Sequence, residues 1–326
     1  MLSFMINFDY QKSNKKENTM SNVTEYKKIT AFHPGYYIAD IIDDMGITQA
    51  EFATRVGTNV KTLSYLVNGQ ANITNDLAKK LSVMLGTSEK VWLDLQCTYD
   101  QQLIEIQKAK DFDEQTRLAR LIDYKYFIEV AGLEATKSTN EKITNLCKYL
   151  KVADLRILLS PDFLVNYQTD VNTIEEKNVI NSRAWVQTAI NISSKIETKP
   201  YNAQKLKSVL PEIKKMTTQK PETFVPRLEK LLAESGIAFV LLPNLKNSGV
   251  NGAVKWVKDD RVVLAMNEKS LKSESFWFSL FHEIKHVLQR KVKTTFISYS
   301  EEKMIEENKR LEEEADRFAM NCLSTT

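Results

Sequence analysis

The sequence predicts a mainly α-helical protein with one small β-sheet, an α+β chain of consecutive domains, and three observations point there. Five of the nine glycines, Gly35, Gly46, Gly57, Gly69 and Gly86, fall within residues 30–99 and punctuate short helical stretches. Residues 101–220 are charged and amphipathic, contain only Gly132, and break near Pro161, Pro200 and Pro211, the texture of successive helices. From Pro221 onward, short β-prone runs at 237–242, 253–257 and 261–266 are separated by Gly249, Gly252 and the Asp259-Asp260 turn, and two long helices follow.

Composition sets the class. The 326 residues are 43% hydrophobic and 27% charged, the balance of a globular protein with room for about two domains. Lys and Arg number 45 against 42 Asp and Glu, so a net charge of +3 does not by itself announce a nucleic-acid or membrane partner. Cys97, Cys147 and Cys322 are odd in number and never form a CxxC pair, which argues against a disulfide framework and fits a reducing cytoplasm. Apolar runs fall far short of the roughly 18 residues of a membrane span, so no membrane partner is expected.

Taken in order, residues 1–29 are polar with scattered lysines and read as a flexible leader without the apolar centre of a secretion signal; Met20 is a second candidate start. In residues 30–100, Thr48-Gln49-Ala50-Glu51 is a capping box that opens a helix, Phe52, Ala53 and Val56 form its inner side, and Gly57 ends it. After a tight turn, residues 58–67 have the length of the recognition helix of a helix-turn-helix. Leu63 and Leu66 face inward, Asn59, Lys61, Thr62 and Tyr65 outward, and Asn68 and Gly69 close it. His33, alone beside Pro34, reads as a surface or capping residue. Residues 101–220 form a helical linker region.

The strongest chemical signal lies in residues 221–326. His282-Glu283-Ile284-Lys285-His286 is an HExxH motif, which on a helix turns two imidazoles to one face able to bind one zinc ion, with Glu283 beside the metal-bound water. Trp277, Phe281, Ile284 and Leu288 form an apolar stripe next to that face, so the helix is predicted to be buried. Two of the three histidines lie in this motif. A catalytic zinc needs a third protein ligand. The following helix carries a core stripe of Leu311, Ala315, Phe318 and Cys322, with Glu312 and Asp316 on an adjacent face. Glu312 is the candidate ligand and Glu314 the alternative, while Asp316 is the outer carboxylate that orients a histidine. One Zn2+ per chain is expected, though His, His and Glu do not exclude manganese or iron. Glu283 is the catalytic candidate, as the carboxylate that takes a proton from water and passes it to the leaving amine. Tyr299 is a candidate for stabilising the oxyanion.

Two resemblances follow from these residues. Gly249 through Ala253 and Trp256, the run Ser275-Phe276-Trp277-Phe278-Ser279-Leu280-Phe281-His282-Glu283, and the helix from Glu312 to Ala319 resemble the ImmA/IrrE metallopeptidase family. That resemblance implies a zincin-like domain holding zinc through both histidines and a later glutamate, and a peptidase acting on a regulatory protein such as a repressor. Lys285 stands where relatives often have glycine, and the sequence stops soon after Phe318-Ala319. His33-Pro34-Gly35, Gly46-Ile47-Thr48-Gln49, Asn68-Gly69, Leu85-Gly86-Thr87 and Trp92-Leu93-Asp94-Leu95-Gln96 with Tyr99-Asp100 are similar to HigA-type antitoxins of the Xre helix-turn-helix class. This implies a five-helix, lambda-repressor-like domain that dimerises on a double-stranded DNA operator, with Gln49, Lys61, Thr62 and Tyr65 near the groove and Asn68 near a phosphate. Residues 31–96 hold five basic residues (Arg55, Lys61, Lys79, Lys80, Lys90) and seven acidic (Asp40, Asp43, Asp44, Glu51, Asp76, Glu89, Asp94), so DNA affinity would need a homodimer or a local basic patch. The two functional expectations are a transcriptional regulator with a zinc endopeptidase, and a non-enzymatic antitoxin whose second domain senses metal or binds a toxin.

Overall fold

In the computed structural model, residues 22–160, 163, 175–271, 274–289, 295–299 and 306–324 are described. The protein is mostly helical with two small sheets, and it divides into two compact units, Met1–Asp113 and Glu114–Thr326. No helix among the described residues is long and apolar enough to cross a membrane.

The first unit begins earlier than the sequence suggests. Strands β1 (Val23–Tyr26) and β2 (Ile29–Phe32) pair antiparallel, with Val23 opposite Phe32 and Lys27 at positive φ in the turn. The expected leader of residues 1–29 is therefore corrected from Val23 onward; the part before Asn22, Met20 included, lies outside the described residues. Two side chains pin the hairpin tip, Tyr26 Oη donating to Asp113 Oδ2 at 2.5 Å and Lys27 Nζ to Oδ1 at 2.6 Å. These contacts join residues some 86 positions apart, which a local reading cannot see.

Five helices follow: α1 (Pro34–Asp44), α2 (Gln49–Val56), α3 (Val60–Val67), α4 (Asn75–Leu85) and α5 (Glu89–Leu121). Their starts are written in cap residues. His33, Thr48, Asn59 and Thr74 each accept a hydrogen bond from a first-turn backbone N–H, satisfying donors that the helix leaves open. His33 is thus a cap, but a fully buried one, its ring edge-on to Tyr99 at 4.8 Å; burial pushes its pKa down against the opposing influence of Asp100. Gly57 takes the left-handed conformation that a tight turn between α2 and α3 requires. Ile38, Phe52, Leu63, Leu66, Leu81 and Trp92 close the core.

In the second unit α6 (Tyr124–Ala131), α7 (Thr139–Leu150), α8 (Glu176–Ser193), α9 (Ala203–Lys214) and α10 (Pro221–Glu234) precede a four-stranded sheet. Strands β3 (Ile237–Leu242), β4 (Val250–Lys258), β5 (Arg261–Asn267) and β6 (Thr295–Tyr299) run in the order β3-β5-β4-β6; β3 is parallel to β5 and the other pairs are antiparallel. Between β5 and β6 comes α11 (Glu274–Gln289), and α12 (Glu306–Leu323) ends the fold. Period-two alternation sends Val262, Leu264 and Met266 to a core with α9 to α12, and Val263 and Ala265 to a second core with α6 to α8. Both faces of the sheet are covered.

Helix α8 is accordingly a structural layer and not a linker, which corrects the reading of residues 101–220. Its polar residues obscured this. Asn181, Ser182, Arg183, Gln187 and Thr188 are all buried, yet each has a partner: Asn181 Nδ2 donates to Leu121 O, Arg183 to Leu158 O at 2.6 Å and Ser160 O at 2.8 Å, and Thr188 to Ala184 O. Gly252 likewise falls inside β4 instead of separating strands.

Candidate metal centre and helix-turn-helix

Helix α11 is apolar on two faces. The predicted stripe of Trp277, Phe281, Ile284 and Leu288 packs into the core, joined by a second one of Phe276, Leu280 and Val287. Wedged between the sheet and α12, the helix has little freedom to turn, so its remaining polar residues are held in place. Ala315, Ala319 and Cys322 bury the inner side of α12, with Leu311 and Phe318 half-buried beside them. Small alanines let the two helices approach closely.

That approach brings His282, His286 and Glu312 together, with ligand atoms of all three within 4.8 Å of one another. His282 Nε2 lies 2.9 Å from His286 Nε2 and 2.9 Å from Glu312 Oε2, and His286 Nε2 lies 3.3 Å from the same oxygen. The outer ring nitrogens are both engaged. His282 Nδ1 donates to Asp316 Oδ1 at 2.8 Å, a carboxylate that can only accept. His286 Nδ1 donates to Gln289 Oε1 at 2.9 Å, and the orientation of that amide is set by its Nε2 donating to Leu311 O at 2.9 Å. With both Nδ1 atoms turned to outer acceptors, the two Nε2 atoms and a carboxylate oxygen face one point. A proton on His282 shared with Glu312 satisfies this set, and a metal ion that displaced it would find the same three donors. Donors at 2.0–2.1 Å from a tetrahedral zinc stand about 3.3 Å apart; the His286–Glu312 pair has that separation, and the two pairs at 2.9 Å are at hydrogen-bond distance and would open by a few tenths of an ångström around an ion.

Electrostatics agree. Burial works against a charged His282, but contact with Glu312, together with the nearby charges of Glu283 and Glu312 and the bond to Asp316, outweighs it and pushes its pKa up to about 9. Burial would raise Glu312, yet the two histidines bring it down to about 2. The pocket favours positive charge where a metal would sit.

Glu283 is fully buried and its carboxylate lies against the backbone of β4. A Cβ at Gly252 would stand 2.7 Å from Glu283 Oε1 and 2.8 Å from Cγ, so only glycine leaves that space. Glu314, the alternative ligand, instead pairs with Lys285 at 3.7 Å and Arg310 at 3.4 Å. Tyr299 closes β6, and its side chain lies outside the described residues. Sequence reasoning passed over Gln289 and the cradle at Gly252. The first was legible, three residues after His286 on the same helix; the second needed the strand packed under the helix.

In the first unit, Gln49 opens α2 and is exposed, as are Lys61 and Tyr65 on α3, with Lys61 Nζ 5.7 Å from the Tyr65 ring centroid. Thr62 is half-buried. Asn59 caps α3 through Thr62 N at 2.7 Å and Asn68 donates to Ser64 O at 2.8 Å, and both stay solvent-exposed at the two ends of the helix.

Residues 38–92 match the helix-turn-helix family. The chain is 36% identical over 89 residues to the uncharacterized HTH-type transcriptional regulator YddM of Escherichia coli (strain K12), covering 27% of this chain and 89% of that protein. It is 36% identical over 69 residues to Virulence-associated protein A' of Dichelobacter nodosus, covering 21% of this chain and 60% of that protein. Among solved structures, an addiction module antidote protein of a HigA family from Coxiella burnetii is 25% identical, with 26% of this chain and 92% of that chain covered and a TM-score of 0.24.

Proposed function

Because the chain belongs to the helix-turn-helix family of transcriptional regulators through its first unit, we propose that it is a regulator that joins operator recognition to a zinc-dependent endopeptidase of the ImmA/IrrE type, cleaving a regulatory protein such as a repressor. The observation that carries the peptidase half is the convergence of His282, His286 and Glu312, with Glu283 buried beside them. A pure scaffold has no physical need for that fourth residue.

His282, His286 and Glu312 would hold the ion, and Asp316 and Gln289 keep the two Nε2 lone pairs turned inward. When bound, zinc supplies a Lewis acid that acidifies a water and polarises a peptide carbonyl. Glu283 takes the proton from the attacking water and delivers it to the leaving nitrogen, its carboxylate braced on one side by the bare backbone at Gly252. At the other end of the chain, α3 would enter the major groove with Lys61, Thr62 and Tyr65, and Gln49 would approach from the start of α2. Homodimerisation would offset the unfavourable local charge.

The experiment compares new protein N-termini in cells carrying the native protein and Glu283→Gln, alongside zinc per chain by elemental analysis. The reading requires zinc in both and cleavage products of a transcriptional regulator only in the native strain. Zinc in both with identical N-termini would favour a non-enzymatic antitoxin that senses metal or binds a toxin.

A further inference from the structure

The second unit contains a concavity of about 560 Å³ between the end of α5, the start of α6, the first turns of α7 and the loop joining β3 to β4. Its size falls within the range of small-molecule sites, roughly 300–1,000 Å³. Four of its lining residues are cationic, Arg120, Lys125, Lys142 and Lys246, against the single carboxylate of Asp123. That carboxylate is engaged, Asp123 Oδ1 accepting from Lys125 N at 3.1 Å as the cap of α6.

The cations gathered at this concavity carry less counter-charge than the ion-paired cations of the same molecule. Lys80, Lys90, Lys108 and Arg227 each hold a carboxylate within 3.0 Å, and Arg117 holds both Glu114 and Glu176. Around the concavity only Lys125 reaches one, Glu129 at 3.5 Å. Lys142 Nζ lies 5.6 Å from the Tyr124 ring centroid, and Arg120 and Lys246 have no carboxylate partner among the described residues. Cations converging on one hollow without counter-charge repel one another unless an anion completes the set. Thr139, the first residue of the twelve-residue helix α7, also lines the hollow, opposite the last turn of α5. Leu121, Ile122 and Tyr124 supply an apolar wall.

We propose that this concavity binds a phosphorylated small molecule of nucleotide size, its phosphates held by Arg120, Lys142 and Lys246 and its ring against the apolar wall near Tyr124. The site is made of residues outside both the metal centre and the helix-turn-helix, so it stands whether or not the peptidase reading does. It gives the middle helices a sensing role. Lys246 lies on the loop that leads into β4, the strand whose Gly252 lies under Glu283, so an anion drawing that loop toward α7 acts on the strand that braces the candidate base.

The test titrates the full-length protein calorimetrically with ADP, ATP, adenosine and inorganic phosphate at fixed ionic strength. Saturable binding of ADP or ATP at one per chain is expected, with no heat from adenosine and weaker binding of inorganic phosphate. The double variant Lys142→Glu, Lys246→Glu should weaken nucleotide binding by about tenfold or more, since charge-assisted bonds to phosphate are reversed in sign. Arg120→Glu should act in the same direction, and Lys90→Glu, on a paired cation elsewhere, should leave binding unchanged. Thermal unfolding of each variant checks the fold. No nucleotide binding, equal loss in Lys90→Glu, or inorganic phosphate binding as tightly as ADP would overturn the proposal.

Discussion

Gln289 shows how much of a candidate metal centre can rest on a residue outside its proposed ligand set. Its amide oxygen accepts from His286 Nδ1 while its amide nitrogen donates to Leu311 O, so one side chain holds both the ring of a proposed ligand on α11 and a carbonyl of α12, which carries Glu312. Gln289→Met keeps length and removes both bonds. Outer partners of this kind typically contribute a factor of about 10–100 in metal affinity. The zinc dissociation constant of Gln289→Met, measured by competition with a chromophoric chelator, should weaken by that factor with the circular dichroism unchanged, and an unaltered constant would refute the brace. Gly252→Ala tests the opposite side. Its Cβ would collide with both the carboxylate and Cγ of a fully buried Glu283, whose displacement leaves His282, His286 and Glu312 in place. Zinc content should stay near native while peptide cleavage falls toward that of Glu283→Gln. Loss of zinc and cleavage together would show that the glycine serves the fold and not the base.

The elements that sequence made legible are those whose signals are local. The box at Thr48-Gln49-Ala50-Glu51 and the turn at Gly57 mark α2 and α3 without reference to the rest of the chain, and Thr48 Oγ1 accepts from Glu51 N at 3.2 Å. HExxH and the Glu312 and Asp316 pair are likewise one-turn patterns on single helices. What stayed hidden depends on tertiary context. Helix α8 looked like a linker because buried Asn181, Arg183 and Gln187 break its apolar stripe, and β6 escaped because five residues separated from the sheet by a helix give little period-two signal. Two variants follow at this scale. Trp185 is fully buried and its Nε1 donates to Pro243 O at 3.0 Å; Trp185→Ala should destabilise the second unit by about 3–5 kcal/mol in chemical unfolding. In the helix-turn-helix, a Lys61→Ala, Tyr65→Ala double variant removes exposed groups only. It should keep the native melting temperature and lose retention of operator DNA in a gel-shift assay, and retained binding would place the interface elsewhere.

Each of the two units closes its own core: Ile38, Phe52, Leu66 and Trp92 belong to the first, and the residues on both faces of the four-stranded sheet belong to the second. Separate cores imply separate cooperative transitions, and calorimetry of the full chain should resolve two. The proposed metal centre then gives each transition a label. His282, His286 and Glu312 all lie in the second unit, so an ion that binds the native arrangement stabilises that unit alone. At free zinc about 100 times the dissociation constant, the gain is about 2.7 kcal/mol. Over a unit of this size that corresponds to a shift of about 5–10 °C. A chelator should therefore lower the second transition by about that amount and leave the first where it was. Thr48→Ala should do the reverse, losing about 1 kcal/mol of cap energy from the first transition alone. A chelator that moved both transitions together, or a single transition for the whole chain, would show that the two cores fold as one and that occupancy of the metal centre is felt at the helix-turn-helix.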